Sequence, residues 1–233
     1  MPCRVESSGS QTSVCAVVGG PAGRLRPAID AQKRPPDAAI DASGALRAAL
    51  EQALEKQAGW IWLLDGSAAP RPEALNALVD GLERTQGLEE PALLSGIVLD
   101  SDGQPGELWY RRNQIDLAMA AAGCRLLPIR ATAAPVLVRR EAAAEHLPPP
   151  RARLTPGGVL EWTAYLLRSG TGYLVPESES DSLVADRDPL EDPVLAARLL
   201  LGGAFARLDR VRFGYALAER AAGRRGARRA PAR

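Results

Sequence analysis

Apolar and polar positions fall in short blocks along this chain, and the blocks read as strands and helices in turn. Val14-Cys15-Ala16-Val17-Val18 is an unbroken apolar run halted by Gly19-Gly20-Pro21. Such a run predicts a buried strand leading into a turn. Residues 25–32 read as a short helix closed by Pro35-Pro36, and Ala38-Ala39-Ile40 as a second strand ending at Asp41-Ala42-Ser43-Gly44. Over 45–57, Leu46, Ala49, Leu50, Ala53 and Leu54 recur at helical spacing, which predicts an amphipathic helix. Residues 60–64 give the sharpest strand signal, five apolar side chains before Asp65-Gly66-Ser67. A second helix follows Pro70 and Pro72, with Leu75, Leu78, Val79 and Leu82 on its buried face; Pro72 suits a first helical turn.

The second half is more mixed. Residues 93–99 read as a strand ending in the turn sequence Asp100-Ser101-Asp102-Gly103. A helix is predicted over 111–123, strands over 125–129 and 136–139, and a helical turn over 141–145. A Pro-rich loop covers 147–156, and 160–168 reads as a helix before a short strand over 172–175. Two more helical patterns lie within 191–222. Strands alternating with helices, then clustering, predict a single α/β domain with a mostly parallel central sheet flanked by helices. The predicted division is an N-terminal segment 1–11, a domain over 12–188, C-terminal helices over 189–223 and a basic tail over 224–233. In sheets of this kind ligands bind beyond the carboxyl ends of strands. Gly19-Gly20, Asp41–Gly44 and Asp65–Ser67 are therefore the places to look.

Composition narrows the class. The chain has 233 residues, 46% hydrophobic, with a formal net charge of +1. That excludes a disordered chain, and the near-zero charge disfavours nucleic acid as partner. No apolar run approaches the roughly 18 residues that span a bilayer. The near-neutral total hides an asymmetry: residues 224–233 hold five Arg and no acid, an end suited to anionic lipid headgroups. Cys3, Cys15 and Cys124 are odd in number and widely spaced, which argues against a disulfide framework or a zinc site and for a reducing, cytoplasmic compartment. Residues 1–12 lack the apolar stretch of a signal peptide. The lone His146 precedes a Pro-rich run and reads as a loop residue.

Three segments carry a resemblance. Trp60-Ile61-Trp62-Leu63-Leu64-Asp65, with Pro70, Pro72 and Glu73-Ala74-Leu75 after it, resembles the strand, D-x-D-like motif and helix of family 2 glycosyltransferases. Residues 160–170, followed by Gly172-Tyr173-Leu174-Val175-Pro176, are similar to that family's acidic helix and following strand. Ile40-Asp41-Ala42-Ser43 resembles its nucleotide-contacting turn. The resemblance implies a GT-A-like fold and transfer of a sugar from a nucleotide-diphospho-sugar to a glycan or lipid acceptor of the cell envelope. It places Asp41, Ser43 and Asp65 on the nucleotide, Mg²⁺ or Mn²⁺ on Asp65, and the general base on Glu161. The expected localisation is cytoplasmic, with peripheral membrane contact read from the charge of the basic tail, whose plainer counterpart is a frayed, solubilising terminus.

Each assignment has a plainer counterpart. Asp65 can simply cap a turn, Ser43 can cap the helix over 45–57, and Glu161 can be a solvated helix residue. Trp60, Trp62 and Trp162 are packing residues first. The chain also departs from the family. The D-x-D site reads Asp65-Gly66-Ser67, the usual acidic pair falls on Gly158-Val159, and Tyr165 stands where an Arg is usual. Two alternatives stay open. Gly19-Gly20-Pro21-Ala22-Gly23-Arg24-Leu25-Arg26-Pro27, with Lys33 downstream, resembles the phosphate-wrapping loop of sugar-phosphate nucleotidyltransferases. The lost carboxylates fit a catalytically weak or inactive glycosyltransferase-like binding protein.

Overall fold

The computed structural model describes residues 12–183, apart from 22, 106–122, 124 and 134. The predicted helix over 111–123 apart from its last residue, the helical patterns over 191–222, the segment 1–11 and the Arg-rich end lie outside the described residues, as do Cys3 and Cys124.

Eight strands form one sheet: β1 (Val14–Val18), β2 (Ala38–Asp41), β3 (Trp60–Leu64), β4 (Ala68–Pro70), β5 (Pro91–Leu99), β6 (Leu127–Ile129), β7 (Val136–Arg139) and β8 (Thr171–Ser182). Their order is β2-β1-β3-β7-β5-β8-β4, with β6 also on β8. The strands β1, β2, β3, β5 and β8 share one direction, and β4, β6 and β7 oppose it. Five of the eight strands thus run one way, in keeping with the predicted mostly parallel sheet, while β7 is inserted in reverse between β3 and β5 and β4 and β6 lie antiparallel to β8. All five residues of β1 are buried. A parallel strand covered on both faces needs a continuous apolar run, not an alternating one.

Helices α1 (Arg26–Asp30), α2 (Leu46–Glu55), α3 (Ala74–Glu83), α4 (Arg140–Glu145) and α5 (Pro156–Leu166) cover the two faces. Alternation along the strands sends side chains to opposite sides. Cys15, Val17, Ile61, Leu63, Val136 and Val138 pack with Leu46, Leu50, Ala143 and Trp162 of α2, α4 and α5. Val14, Ala16, Val18, Trp62, Leu64 and Leu137 pack with Ile29, Leu75, Leu78 and Val79 of α1 and α3. Each fully buried Leu or Ile contributes about 1.5–3 kcal/mol. Gln32, itself buried, ties this second layer: its Nε2 donates to Ala28 O and Arg71 O at 2.9 and 2.8 Å, and its Oε1 accepts from Leu75 N at 3.1 Å. That last bond satisfies a donor left open in the first turn of α3.

Several boundaries differ from expectation. The strand predicted over 172–175 runs on to Ser182. Pro176 does not stop it, because a register shift relative to β5 falls between the Ser95↔Leu174 and Ile97↔Glu179 pairings; a bulge accommodates a residue that cannot donate. β6 covers the other edge of the first half of β8, and β4, a strand the sequence reading missed, covers the second half. The helix predicted over 160–168 starts earlier, at Pro156, because Thr155 Oγ1 accepts from Gly158 N and Pro fills the first turn.

Candidate functional site

The site is built from the ends of three adjacent strands. Val18 pairs with Asp41 on one side and Leu64 on the other, so β1, β2 and β3 stop at one level. The chain leaves them together: Gly19 N donates to Leu64 O at 2.6 Å and Ala42 N to Val18 O at 2.9 Å. The two turns then press on each other. Gly66 has φ +88°, and a Cβ there would lie 2.8 Å from both Gly19 O and Gly20 Cα. A side chain at 66 is barred by conformation and by contact alike.

Asp65 opens the turn after β3. Its Oδ1 accepts from Ser67 N at 2.9 Å and from Ser67 Oγ at 2.5 Å, an Asx turn reinforced by a hydroxyl. Oδ2 is buried and has no hydrogen-bond partner. Burial pushes this carboxyl above the ordinary carboxylate range, and the Ser67 hydrogen bonds only partly oppose it. The turn is anchored further where Leu183 N donates to Ser67 O at 2.8 Å.

Asp41 and Ser43 reach the same rim on β2 and the bend after it, both exposed. Ser43 is not the cap of α2. That place falls to Ala45, without a side-chain cap, because the segment before α5 takes over the job. Leu46 N donates to Ala152 O and Leu154 N to Gly44 O, each at 2.9 Å. Leu154 then lies buried across Gly19, where a Cβ would meet its Cδ2 at 2.8 Å.

The same segment explains one departure from the family pattern. A Cβ built on Gly158 would stand 2.0 Å from Arg153 O. No side chain fits at Gly158, the first of the two positions on which the family's acidic pair falls. Glu161, one turn later, is half-buried and shares an outer stripe of α5 with Gly158 and the exposed Tyr165. The structure therefore brings Asp41, Ser43 and Asp65 to one rim, and places Glu161 on the helix that follows Leu154.

Other candidates take structural places. Trp62 and Trp162 are core residues with 0% and 1% exposure, so neither lines a sugar. His146 ends α4. Its carbonyl accepts from Trp162 Nε1 at 2.6 Å, its Nε2 meets Ser169 Oγ at 3.1 Å, and its ring stands edge-on to Tyr165 at 5.9 Å. It is a tether between α4 and α5. Burial pushes the Cys15 thiol up, away from reactivity. Lys33 pairs with Glu73 at the start of α3. The sequence reading missed Leu154 and Thr155; the Thr155-Pro156 cap signal was available, whereas contact between Leu154 and Gly19 has no local signature.

The metal expected on Asp65 can be tested on the donor set. One oxygen of Asp65 is engaged by Ser67 and the other is covered. Among the described residues no group of three or more His, Cys, Asp or Glu is arranged to hold a cation. Hard divalent cations take six or more oxygens, with one or two carboxylates open to them. Asp65, with one oxygen on Ser67 and the other buried, does not offer that open carboxylate.

No family model matches the chain, and no curated protein matches it. Among solved structures it is similar to S. aureus TarS 1-349, at 7% identity and TM-score 0.53, over 86% of this chain and 69% of that one. It is also similar to GalNAc-T7 crystallised with UDP, GalNAc and Mn²⁺, at 12% identity and TM-score 0.49, over 73% of this chain but 43% of that one. The chain thus spans less than half the length of the GalNAc-T7 chain. The strand order, the shared rim and the likeness to TarS together give this chain a GT-A-type glycosyltransferase fold.

Proposed function

We propose that this chain binds a nucleotide-diphospho-sugar along the β1–β2–β3 rim and transfers its sugar to a hydroxyl of a glycan or lipid acceptor. The convergence of Gly19-Gly20, Asp41 and Asp65–Ser67 at one level of the sheet carries this reading. Asp41 is exposed at the rim, placed to accept hydrogen bonds from a ribose or base, with the Ser43 hydroxyl beside it. Asp65 holds the turn on which the diphosphate rests. Glu161 is the general base: it takes the acceptor hydroxyl proton as that oxygen attacks the anomeric carbon. The bond from that carbon to the diphosphate oxygen breaks, and the nucleoside diphosphate leaves. A cell-envelope acceptor met at the cytoplasmic face, with the basic tail on anionic headgroups, completes the proposal. No helix among the described residues is long and apolar enough to cross a membrane.

A second reading is favoured by one observation, the Gly158–Arg153 contact that excludes a carboxylate at the first of the family's two acidic positions. In it the chain binds the donor and does not transfer. Calorimetry with UDP, GDP and TDP compounds, followed by assay of nucleoside diphosphate release with and without acceptors, decides between them. Binding with turnover that Glu161→Gln abolishes supports the transferase. Binding without turnover on any acceptor supports the binding protein. No binding of any nucleotide ends both readings.

A further inference from the structure

Arg24 stands on the Gly-rich loop between β1 and α1, exposed to solvent. Its Nη2 donates to Leu183 O at 3.0 Å, and Leu183 N donates to Ser67 O at 2.8 Å. One residue therefore links the guanidinium to the Asp65–Ser67 turn. Arg24 forms no ion pair among the described residues, whereas Arg26 pairs with Asp30 at 3.5 Å. A backbone carbonyl orients this cation without neutralising it.

The carboxylate that opens that turn behaves in the opposite way. Asp65 is turned inward, one oxygen on Ser67 and the other covered. The rim's exposed carboxylate, Asp41, lies on β2, two strands from β3, about 10 Å away at the usual strand spacing. Gly20 and Gly66 place no side chain between. The Ser67 end of the rim thus presents a held guanidinium and a covered acid.

Resting on the donor-site reading above, we propose that Arg24 itself neutralises the nucleotide diphosphate, so that donor binding at this rim needs no divalent cation. A guanidinium fork pairs two phosphate oxygens at once and supplies the charge a metal otherwise brings.

The test is calorimetry of UDP, GDP and uridine against the full chain, in EDTA and then in Mn²⁺. Nucleoside diphosphate affinity is expected to agree within about twofold between the two conditions, since no cation takes part. Arg24→Gln is expected to weaken UDP or GDP about tenfold or more in EDTA, the usual weight of a hydrogen bond to a charged group. It leaves uridine unchanged, which a merely structural role for Arg24 would not do. Arg24→Lys recovers part of the loss, because the charge returns without the fork. Binding that requires Mn²⁺, or Arg24→Gln binding diphosphates as the parent does in EDTA, overturns the proposal while the donor-site reading stands. No binding of any nucleotide in either condition overturns both.

Discussion

Replacing Gly158 with Ala sets two effects of opposite sign against each other. Gly158 lies in the first turn of α5, where Ala is worth up to about 1 kcal/mol more than Gly. Against this, the new Cβ stands 2.0 Å from Arg153 O, a backbone atom with no rotamer to yield. Forced overpacking costs about 1–3 kcal/mol. Relief requires moving the 152–155 segment, which endangers the Thr155 cap on Gly158 N, worth about 1 kcal/mol. It also lifts Leu154 off Gly19, and full exposure of a Leu costs about 1.5–3 kcal/mol. The clash wins, and the net expectation is a loss of about 2–4 kcal/mol, from overpacking, cap and partial Leu154 exposure less the helix gain. Urea unfolding reads this directly, with Gly59→Ala as control, since a Cβ there meets nothing closer than 3.7 Å. Gly158→Asp, which restores an acid by type, gains no turnover and loses more stability. A Gly158→Ala protein within about 0.5 kcal/mol of the parent, the range of an ordinary surface substitution, refutes the steric account.

The remaining expectations concern the rim and its support. Burial raises the Asp65 carboxyl, so the folded chain holds that proton to higher pH than the unfolded chain does. Stability from this proton is full below the ordinary carboxylate range and is lost as pH rises through the folded value. The advantage of the parent over Asp65→Asn in urea midpoint therefore declines as pH rises from about 4; an advantage that grows with pH contradicts the assignment. Gly66→Ala meets φ +88° and Gly19 O at 2.8 Å together, and is expected to cost about 1–3 kcal/mol and to weaken nucleotide binding in calorimetry. Gln32→Ala strands Leu75 N and Ala28 O, while Arg71 O keeps its bond from Ala74 N, and a loss of about 2–4 kcal/mol in thermal or urea unfolding is expected from leaving two such groups unsatisfied.

Sequence by itself determined β1, β2, β3, α2 and α3 of the first half and marked the strand ends where a ligand is proposed to sit. Unbroken apolar runs at 14–18 and 60–64, each closed by a turn sequence, read as buried strands, and the helical spacing after Ala45 fixes which side of α2 is buried. These are local patterns, and burial reads them with period 2 or 3.6. The three strand-end segments were legible for the same reason, because a strand must stop where its apolar run stops. Only the tertiary structure decided what those segments do together. That Gly66 rests on Gly19, that Leu154 crosses Gly19 and that Arg24 reaches the Ser67 turn through Leu183 are contacts between residues far apart in the chain, and that Gly158 faces Arg153 follows from how the chain turns into α5. β4 and the extension of β8 beyond Val175 were hidden likewise, since a three-residue strand and a bulged one owe their pairing to each other and not to their own patterns. Sequence named the carboxylate at 65, but packing alone turned it inward and left the arginine outside.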